Sequence, residues 1–521
     1  MSEVSMKHLI DIDLDALKGI EQDPKLQRDA KYSLEQLDDP HGGGPEKGAQ
    51  PGDRWAQHSG SVTSKAVHAT KAALTEGHTW WDAILSNACT TVGQVILTEP
   101  YQFARTGIIA ATCLYLGANL LSFYTMWLLV VLFLHRKMLM IKEGTWFTTR
   151  DEHGYLKRGK TTQFFDIVEF SMGRPWAFLA QACVVVQLLN SNAVQIIASA
   201  SSQYELTPYY NKRTWSLVLG PVILIFGYLP SFRSSRLLNV IGLAGTQYST
   251  LYFTISAIIK GYTPGAFSRP ASSKVQFFSG AASVGNGQSH GVALEMMDAM
   301  RQSRKYTMAY GISWLWIIIL MVPHSLAISL CYNKEVLQQS NVYAILPNNG
   351  WRSFSVYIML IHNIAAFTLH VLPLMFLWER MLGVHEKSNW VRLPLRTFPL
   401  MLIWALAILF PFYGNVSSTY TSVTGFFVSH IFPGIGFWWF YRTKERRAEC
   451  PVRIPRIFAA YNWAPIFGLN LFIAVFYAVG YAGFGTYYSW VLFLRDIRKF
   501  KIAAACFRAP PAYMSGLTLV C

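Results

Sequence analysis

Charge is what this sequence has least of. Asp, Glu, Lys and Arg together supply 14% of its 521 residues, against roughly 25% in an ordinary soluble domain, which excludes a globule bathed in water. Acidic residues are scarcer still past the beginning: residues 1–54 hold 12 of the 29, leaving 17 for the other 467. The formal charge of +16 therefore belongs to the apolar part and its loops, where lysine and arginine orient membrane spans. Nucleic acid is not an expected partner. Seven cysteines (Cys89, Cys113, Cys183, Cys331, Cys450, Cys506 and Cys521) are scattered, mostly inside apolar runs, and their spacing offers neither a disulfide framework nor a metal site. The first 30 residues hold no apolar core of a secretory signal, so the first span is expected to direct its own insertion. Paired-histidine metal motifs, a nucleophile elbow and a phosphate loop are missing as well. Neither an enzyme nor a cofactor is expected.

Apolar and aromatic residues are abundant, at 52% and 15%. Runs such as "GANLLSFYTMWLLVVLFL", "GISWLWIIILMVPHSLAISL" and "FPLMLIWALAILFPF" approach the roughly 20 residues that cross a hydrocarbon core of about 30 Å. This is the pattern of an all-α polytopic membrane protein. Eleven spans are expected, near 82–107, 110–134, 175–202, 214–230, 237–260, 276–300, 307–331, 353–381, 395–412, 417–440 and 458–490.

Loop charge orients them. With the N-terminus in the cytoplasm, loops 136–174, 231–236, 301–305, 380–396 and 442–456 hold 23 Lys and Arg, whereas 203–213, 260–275, 332–352 and 413–416 hold 7. That asymmetry puts the first set inside. Residues from Arg495 onward carry five more, yet eleven spans leave this tail outside; a short twelfth span or an interfacial helix within 461–494 is the other arrangement. Residues 1–78, polar and acidic around "DDPHGGGPEKGAQPGD", read as a largely disordered cytoplasmic tail. The remainder divides into a ten-helix core over 79–442, in two halves near 79–260 and 276–442. A basic cytoplasmic loop with the eleventh helix follows over 443–494, and a C-terminal tail over 495–521.

Two spans do not suit lipid. The first reads "WWDAILSNACTTVGQVILTEPYQFARTG", with Gly93, Thr98, Glu99 and Pro100 inside. The sixth contains "GAASVGNGQSHGVALEMMDAM", with Asn286, Gln288, His290 and Glu295 among its glycines. An unwound turn exposes backbone N–H and C=O groups that hydrocarbon cannot satisfy, so they must face protein, water or a ligand. Five spans separate the two, and an odd offset inverts topology; matched interrupted helices in inverted halves point to a transporter's central binding site. Duller readings stand beside this one. Glycine in membrane helices also serves close packing, His290 reads equally as a packed histidine on a backbone carbonyl, and Glu295 and Asp298 fit structural pairing with Arg301 or Arg304 near the cytoplasmic mouth. Glu99 is harder to explain so, because an ionisable group at mid-membrane is costly and is a functional candidate by default.

These residues resemble the plant auxin influx carriers of the amino acid/auxin permease group. The first-span text quoted above carries the likeness, with "VQIIASASSQYELTPYYNKRTW", "LPSFRSSRLLNVIGLAG", "HGVALEMMDAM", "NVYAILPNNGWRSFSVYIMLIH" and "ILFPFYGNVSS", in order from about Gly77 to Arg442. The resemblance implies a 5+5 inverted-repeat, LeuT-like transporter fold with helices 1 and 6 broken. It also implies proton-driven import of indole-3-acetic acid across the plasma membrane. Carried over by position, His290 matches the family's sixth-span histidine, Gln94 and Pro100–Tyr101 its first-span break, Gln195 a third-span glutamine and Glu295 the acid after the second break. His362 matches an eighth-span histidine. The expected substrate-binding set is Thr91, Gln94, Thr98, Pro100, Tyr101, Gln195, Asn286 and His290; the expected proton-coupling set is His290, Glu99 and Glu295. The chain departs from the family at Glu99, where an apolar residue is usual, at Thr90 and Thr91, where an Asn–Gln pair is usual, in the run "SVGNGQS", and at Pro208 in place of an aspartate. Those departures keep a second substrate open: an amino acid, whose ammonium group an ionised Glu99 would favour. For the auxin anion, histidine's ordinary pKa of roughly 6.5 lies between an acidic exterior and a near-neutral cytosol, so His290 is expected to attract the carboxylate outside and release it inside.

Overall fold

The computed structural model describes residues 79–143, 145, 149–150, 156–157, 161–229, 236–284, 289–300, 302–385, 387–410, 418–455 and 462–500. The chain forms two compact units. Within the smaller one, the described residues are the end of a helix from Arg136 and a two-stranded antiparallel ladder, Thr149 opposite Lys157 and Arg150 opposite Leu156. This ladder is the one departure from an all-helical expectation among the described residues.

The larger unit is helical throughout, and its helices begin where the chemistry of capping demands. Thr79 opens α1 (Trp80–Val92): its N–H and hydroxyl donate to Asp82 Oδ2 at 2.8 and 2.9 Å, while its Oγ1 accepts the Asp82 N–H, the reciprocal bonding of a capping box. A short 3₁₀ turn over Gln94–Leu97 leads to α2 (Glu99–Thr106), and Gly107, at φ +92°, turns the chain into α3 (Ile108–Lys142). Left-handed φ suits glycine because it has no Cβ. Then come α4 (Phe164–Met172), α5 (Arg174–Leu206), α6 (Lys212–Leu224) and α7 (Arg236–Lys260). The second half runs through α8 (Lys274–Ala281), α9 (His290–Ala299), α10 (Tyr306–Cys331), α11 (Asn333–Gln338) and α12 (Gly350–Met381). After α13 (Asn389–Leu395) and α14 (Thr397–Leu409), two π-helical turns (Thr421–Gly425 and Phe427–Ile431) precede α15 (Phe432–Phe440). The last elements are α16 (Lys444–Ala448), α17 (Ala464–Phe476), a π-helical stretch over Tyr477–Gly485, and α18 (Thr486–Phe500).

Most expected spans are recognisable, with three differences. Helix α4 lies inside what reads as a plain basic loop. The last span runs past its expected end near 490, as one helical element from Ala464 to Phe500; the described part of the tail after Arg495 is therefore helical. Helix resumes at Glu99, so Pro100 and Tyr101 belong to the first turn of α2 and not to the break itself. Proline at N1 or N2 costs no hydrogen bond, since the first N–H groups of a helix have no intrahelical partner.

Seven of the helices among the described residues are long and apolar enough to cross a membrane. The outside of the larger unit is apolar: Ile259 is 81% exposed, Phe178 76%, Ile225 66% and Leu471 64%. The inside is unusually polar, with Asn87, Asn192, Gln195, Ser199, His290, Asn363 and His362 all essentially inaccessible. This inversion of the soluble pattern suits a lipid solvent around a wet interior.

Packing sets the two broken spans against each other. Helix α1 touches α9, and α2 touches α8. The first half of one span thus meets the second half of the other, so the two run antiparallel. Around them α5 packs on α12, α12 on α7, and α10 on both α1 and α2. Three carboxylates tie helix ends together. Asp82 pairs with Arg236 at the starts of α1 and α7, and Asp166 of α4 takes both nitrogens of Arg380 at 2.8 and 2.7 Å. Glu379, fully buried, accepts from Arg392 and Arg396, each at 2.7 Å. All four arginines lie in or beside loops that the charge asymmetry assigns to the cytoplasm.

Candidate functional site

Helix α10 binds the Ile96 carbonyl freed by the first break and the Pro100 carbonyl in the first turn of α2. The His324 Nε2–H donates to the Ile96 carbonyl at 2.8 Å, and the Ser329 hydroxyl donates to the Pro100 carbonyl at 3.0 Å. On the other side of the break, Asn87 Oδ1 accepts from the Ser289 and Tyr306 hydroxyls at 3.3 and 2.9 Å. These bonds hold the end of α1 beside the beginning of α9. At the second break, α8 ends at Ala281 and α9 opens at His290; Asn286 and Gln288 lie outside the described residues.

Between the breaks lies a narrow pocket of about 30 Å³, room for water but well below the several hundred Å³ of an open small-molecule site. The end of α1 contributes Thr90, Thr91, Gln94 and Val95 to its wall. From α5 come Gln187, Leu188 and Ser191; Ser289, Gly291 and Val292 come from the start of α9, with His370 of α12 and Tyr420 completing the lining. Two helix ends therefore face one space. The last carbonyls of α1 form a partially negative end, and the first N–H groups of α9 a partially positive one. Such a space is complementary to a carboxylate at one end and to an ammonium or an N–H group at the other, while Val95, Leu188 and Val292 offer apolar contact.

The expected site residues divide into three groups. Thr91 and Gln94 line the cavity. Gln195 stands one helical turn beyond Ser191, fully buried, with neither amide atom hydrogen-bonded among the described residues. The others sit off the cavity. Thr98 is buried and holds its own turn, its hydroxyl 3.5 Å from the Val95 carbonyl. Glu99 is buried at the start of α2, Pro100 serves through the carbonyl that Ser329 binds, and the Tyr101 ring lies 5.0 Å below the Arg105 guanidinium. Glu295 accepts from Gln163 Nε2 at 3.2 Å, and the neighbouring Asp298 accepts the Thr162 N–H at 3.1 Å, so the residues just before α4 close against the lower half of α9.

His290 is the least expected placement. Its backbone opens α9 at the cavity wall, but its ring turns away. Nε2 lies 3.1 Å from the Thr125 hydroxyl of α3, and the ring faces those of Tyr310 and His430, each with centroids 6.2 Å away. Its ring is held by α3, through the Thr125 hydroxyl and the Ser122 backbone.

Several wall residues escape a reading by motif. Gln187, Ser191, Gln195 and Ser199 recur every four residues on α5, a polar stripe inside an apolar run. Helical periodicity makes that stripe visible. His370, Tyr420 and the carbonyl-capturing His324 and Ser329 carry no such signal.

Residues 76–479 match the family described as transmembrane amino acid transporter protein. The match reaches into α17 and its π-helical continuation, beyond the limit near Arg442 read from motifs. Among curated proteins, the chain is 31% identical over 443 residues to auxin transporter-like protein 4 of Medicago truncatula, covering 85% of this chain and 89% of that protein. It is 30% identical over 458 residues to auxin transporter protein 1 of Arabidopsis thaliana, covering 88% and 91%. Auxin transporter-like protein 1 of Oryza sativa subsp. japonica is 31% identical over 442 residues, covering 84% and 87%. Among solved structures, a Na⁺-coupled sialic acid symporter in its substrate-bound outward-open state aligns with a TM-score of 0.50 at 9% identity, over 80% of this chain and 90% of that one. The likeness is one of fold: a helical transporter scaffold with interrupted helices. The chain is a multi-pass membrane protein that belongs to the transmembrane amino acid transporter family.

Proposed function

We propose that the protein imports indole-3-acetic acid together with protons across the plasma membrane by alternating access. The observation that carries this reading is the cavity between the end of α1 and the start of α9, with Thr91 and Gln94 in its wall. The N–H groups opening α9 bind the carboxylate, helped by the Gln94 amide and, one turn above the wall, by Gln195. The indole ring lies against Val95, Leu188 and Val292, and its N–H meets the carbonyl end of α1. Thr98, Pro100 and Tyr101 shape the outer side of the break, and Asn286 belongs to the second break. The names of the similar plant proteins support auxin as the solute.

Moving an anion into a negative-inside cell opposes the membrane potential by about 2.3 kcal/mol per charge for each 100 mV. One proton per anion makes the step electroneutral, so that an inward pH gradient drives it; a second proton, or another cation, lets the potential drive accumulation as well. His290 sits directly behind the helix end that faces the cavity, so a proton there adds to the field that holds the carboxylate. Glu99 and Glu295 are the carboxyl groups placed to carry a proton on either side of it. The core, over 79–442, functions as two inverted five-helix halves. Eleven spans keep the N-terminal tail in the cytoplasm and the C-terminal tail outside.

The rival solute is an amino acid. Two facing helix ends suit a zwitterion as well as an aromatic acid, and Glu99 adds a carboxyl group near the first break. Uptake of labelled indole-3-acetic acid and a panel of amino acids, in a host lacking such carriers, separates the two. Run at acidic and neutral external pH with and without an uncoupler, the assay is expected to give acid-stimulated, uncoupler-sensitive auxin uptake. Uptake of neither solute, from protein shown to reach the membrane, rejects the proposal.

A further inference from the structure

His362, midway along α12, has a lone pair with nowhere to go. Its Nδ1 lies 2.9 Å from the Gly242 carbonyl of α7; a carbonyl only accepts, so Nδ1 carries the hydrogen and Nε2 is left as the basic nitrogen. That nitrogen is fully buried and has no hydrogen-bond partner among the described residues. It points at the first-span break. The position a Cβ would take on Gly93 is 3.2 Å from Nε2 and 4.0 Å from the Cys89 carbonyl oxygen, one of the last-turn carbonyls at the negative end of α1. Glycine at this position is what lets the imidazole approach.

A buried acceptor aimed at an acceptor-rich helix end is an arrangement that a proton completes. Resting on the transport reading above, we propose that His362 is a coupling-proton site. An N–H bond forms at Nε2 as an O–H bond of hydronium in the external water breaks and leaves water, and the resulting imidazolium faces the carbonyl end of α1, clamping the broken span against α7 and α12. Returning that proton to the cytoplasmic water releases the clamp. A cation at a helix C-terminus is favoured by the dipole, and the attraction is strong where water is excluded. The groups facing the ring from its neighbours are few. Cys89 of α1 has its Sγ 4.0 Å from Nδ1, α7 presents the Gly242 carbonyl, and on α12 itself His370, in the cavity wall, is close enough to act on it. A charge on His370 opposes one on His362, which links occupancy of the cavity to release of the proton.

The test uses the full chain in liposomes with the membrane potential clamped. The accumulation ratio of indole-3-acetic acid, or of whichever amino acid the panel identifies, is followed against an imposed inward pH gradient. Each coupled proton contributes about tenfold in that ratio per pH unit. His362→Gln keeps a donor for the Gly242 carbonyl but takes no proton, so the ratio is expected to lose about one factor of ten per pH unit, while solute exchange at equal pH persists. Gly93→Ala, which puts a methyl against Nε2, is expected to produce the same loss and serves if His362→Gln does not fold. An unchanged gradient response in these variants overturns the assignment and leaves the transport reading standing. A wild-type protein that exchanges neither auxin nor amino acids removes both.

Discussion

Under the transport proposal, Gln94 and His290 serve the same cavity in two ways. Gln94 lies in the wall, so Gln94→Leu removes a hydrogen bond to a charged group, worth about 1.5–3 kcal/mol. The half-saturating solute concentration is expected to rise about 10- to 150-fold, measured by concentration-dependent uptake. His290, bonded to Thr125, is proposed to act from behind through its charge. His290→Ala is therefore expected to abolish acid stimulation of uptake more than it weakens solute exchange; a variant whose pH profile matches the wild type ends that role. Glu99 is the proposed discriminator between solutes. Glu99→Leu restores the apolar character usual in the resembled family and is expected to raise auxin uptake relative to amino acid uptake. An unchanged ratio and an unchanged pH dependence remove Glu99 from both the selectivity and the coupling argument. None of these azimuths was legible from spacing: the sequence places a residue along a helix, but which neighbour its side chain meets depends on how that helix is rotated in the bundle.

Close helix approach is the element-scale device. Gly280 of α8 packs so tightly on α2 that a Cβ there would overlap the Thr106 hydroxyl and crowd Arg105, whereas Gly117 of α3 has nothing within 4 Å. Gly280→Ala is expected to destabilise by about 1–3 kcal/mol through overpacking, read as a lowered melting temperature in detergent. Gly117→Ala, which also improves helix propensity by about 0.8–1.0 kcal/mol, is expected to hold or raise it. Equal behaviour of the two would mean that the contact between α2 and α8 carries no strain-sensitive packing. Both breaks were readable, because glycine, proline and polar groups inside a span-length run are local facts. The extent of the first was not: Pro100 reads as a breaker yet sits where a helix tolerates it, and the Ile96 carbonyl, to which it has no N–H to offer, is bound by His324, more than 200 positions along the chain.

At the scale of the whole molecule, the scarce acids of the membrane part do more than their number suggests. Glu379 is buried between Arg392 and Arg396. Glu379→Gln leaves two guanidinium groups without their counter-charge and is expected to cost about 3–5 kcal/mol, seen in thermal unfolding. Replacing Glu379, Arg392 and Arg396 together by leucine is expected to recover part of that loss, since no lone charge of the trio is then left behind. Orientation has its own check. An epitope after Arg495 is expected to be reached by antibody on intact cells and one inserted within 442–456 only after permeabilisation; both on the same side rejects the odd span count, and the reverse pattern rejects the orientation. What composition and periodicity determined were the helical, multi-pass membrane character and the two places where helix must fail, since each is a property of a contiguous stretch in a lipid solvent. Only the tertiary structure decided that the broken spans lie antiparallel, that α5 supplies a polar stripe to the cavity, that His290 turns toward Thr125, and that His362 aims its nitrogen at Gly93. Those features join residues far apart in the chain, and hydrophobic burial, being non-directional, does not select among them; steric fit and hydrogen bonding in the assembled bundle do.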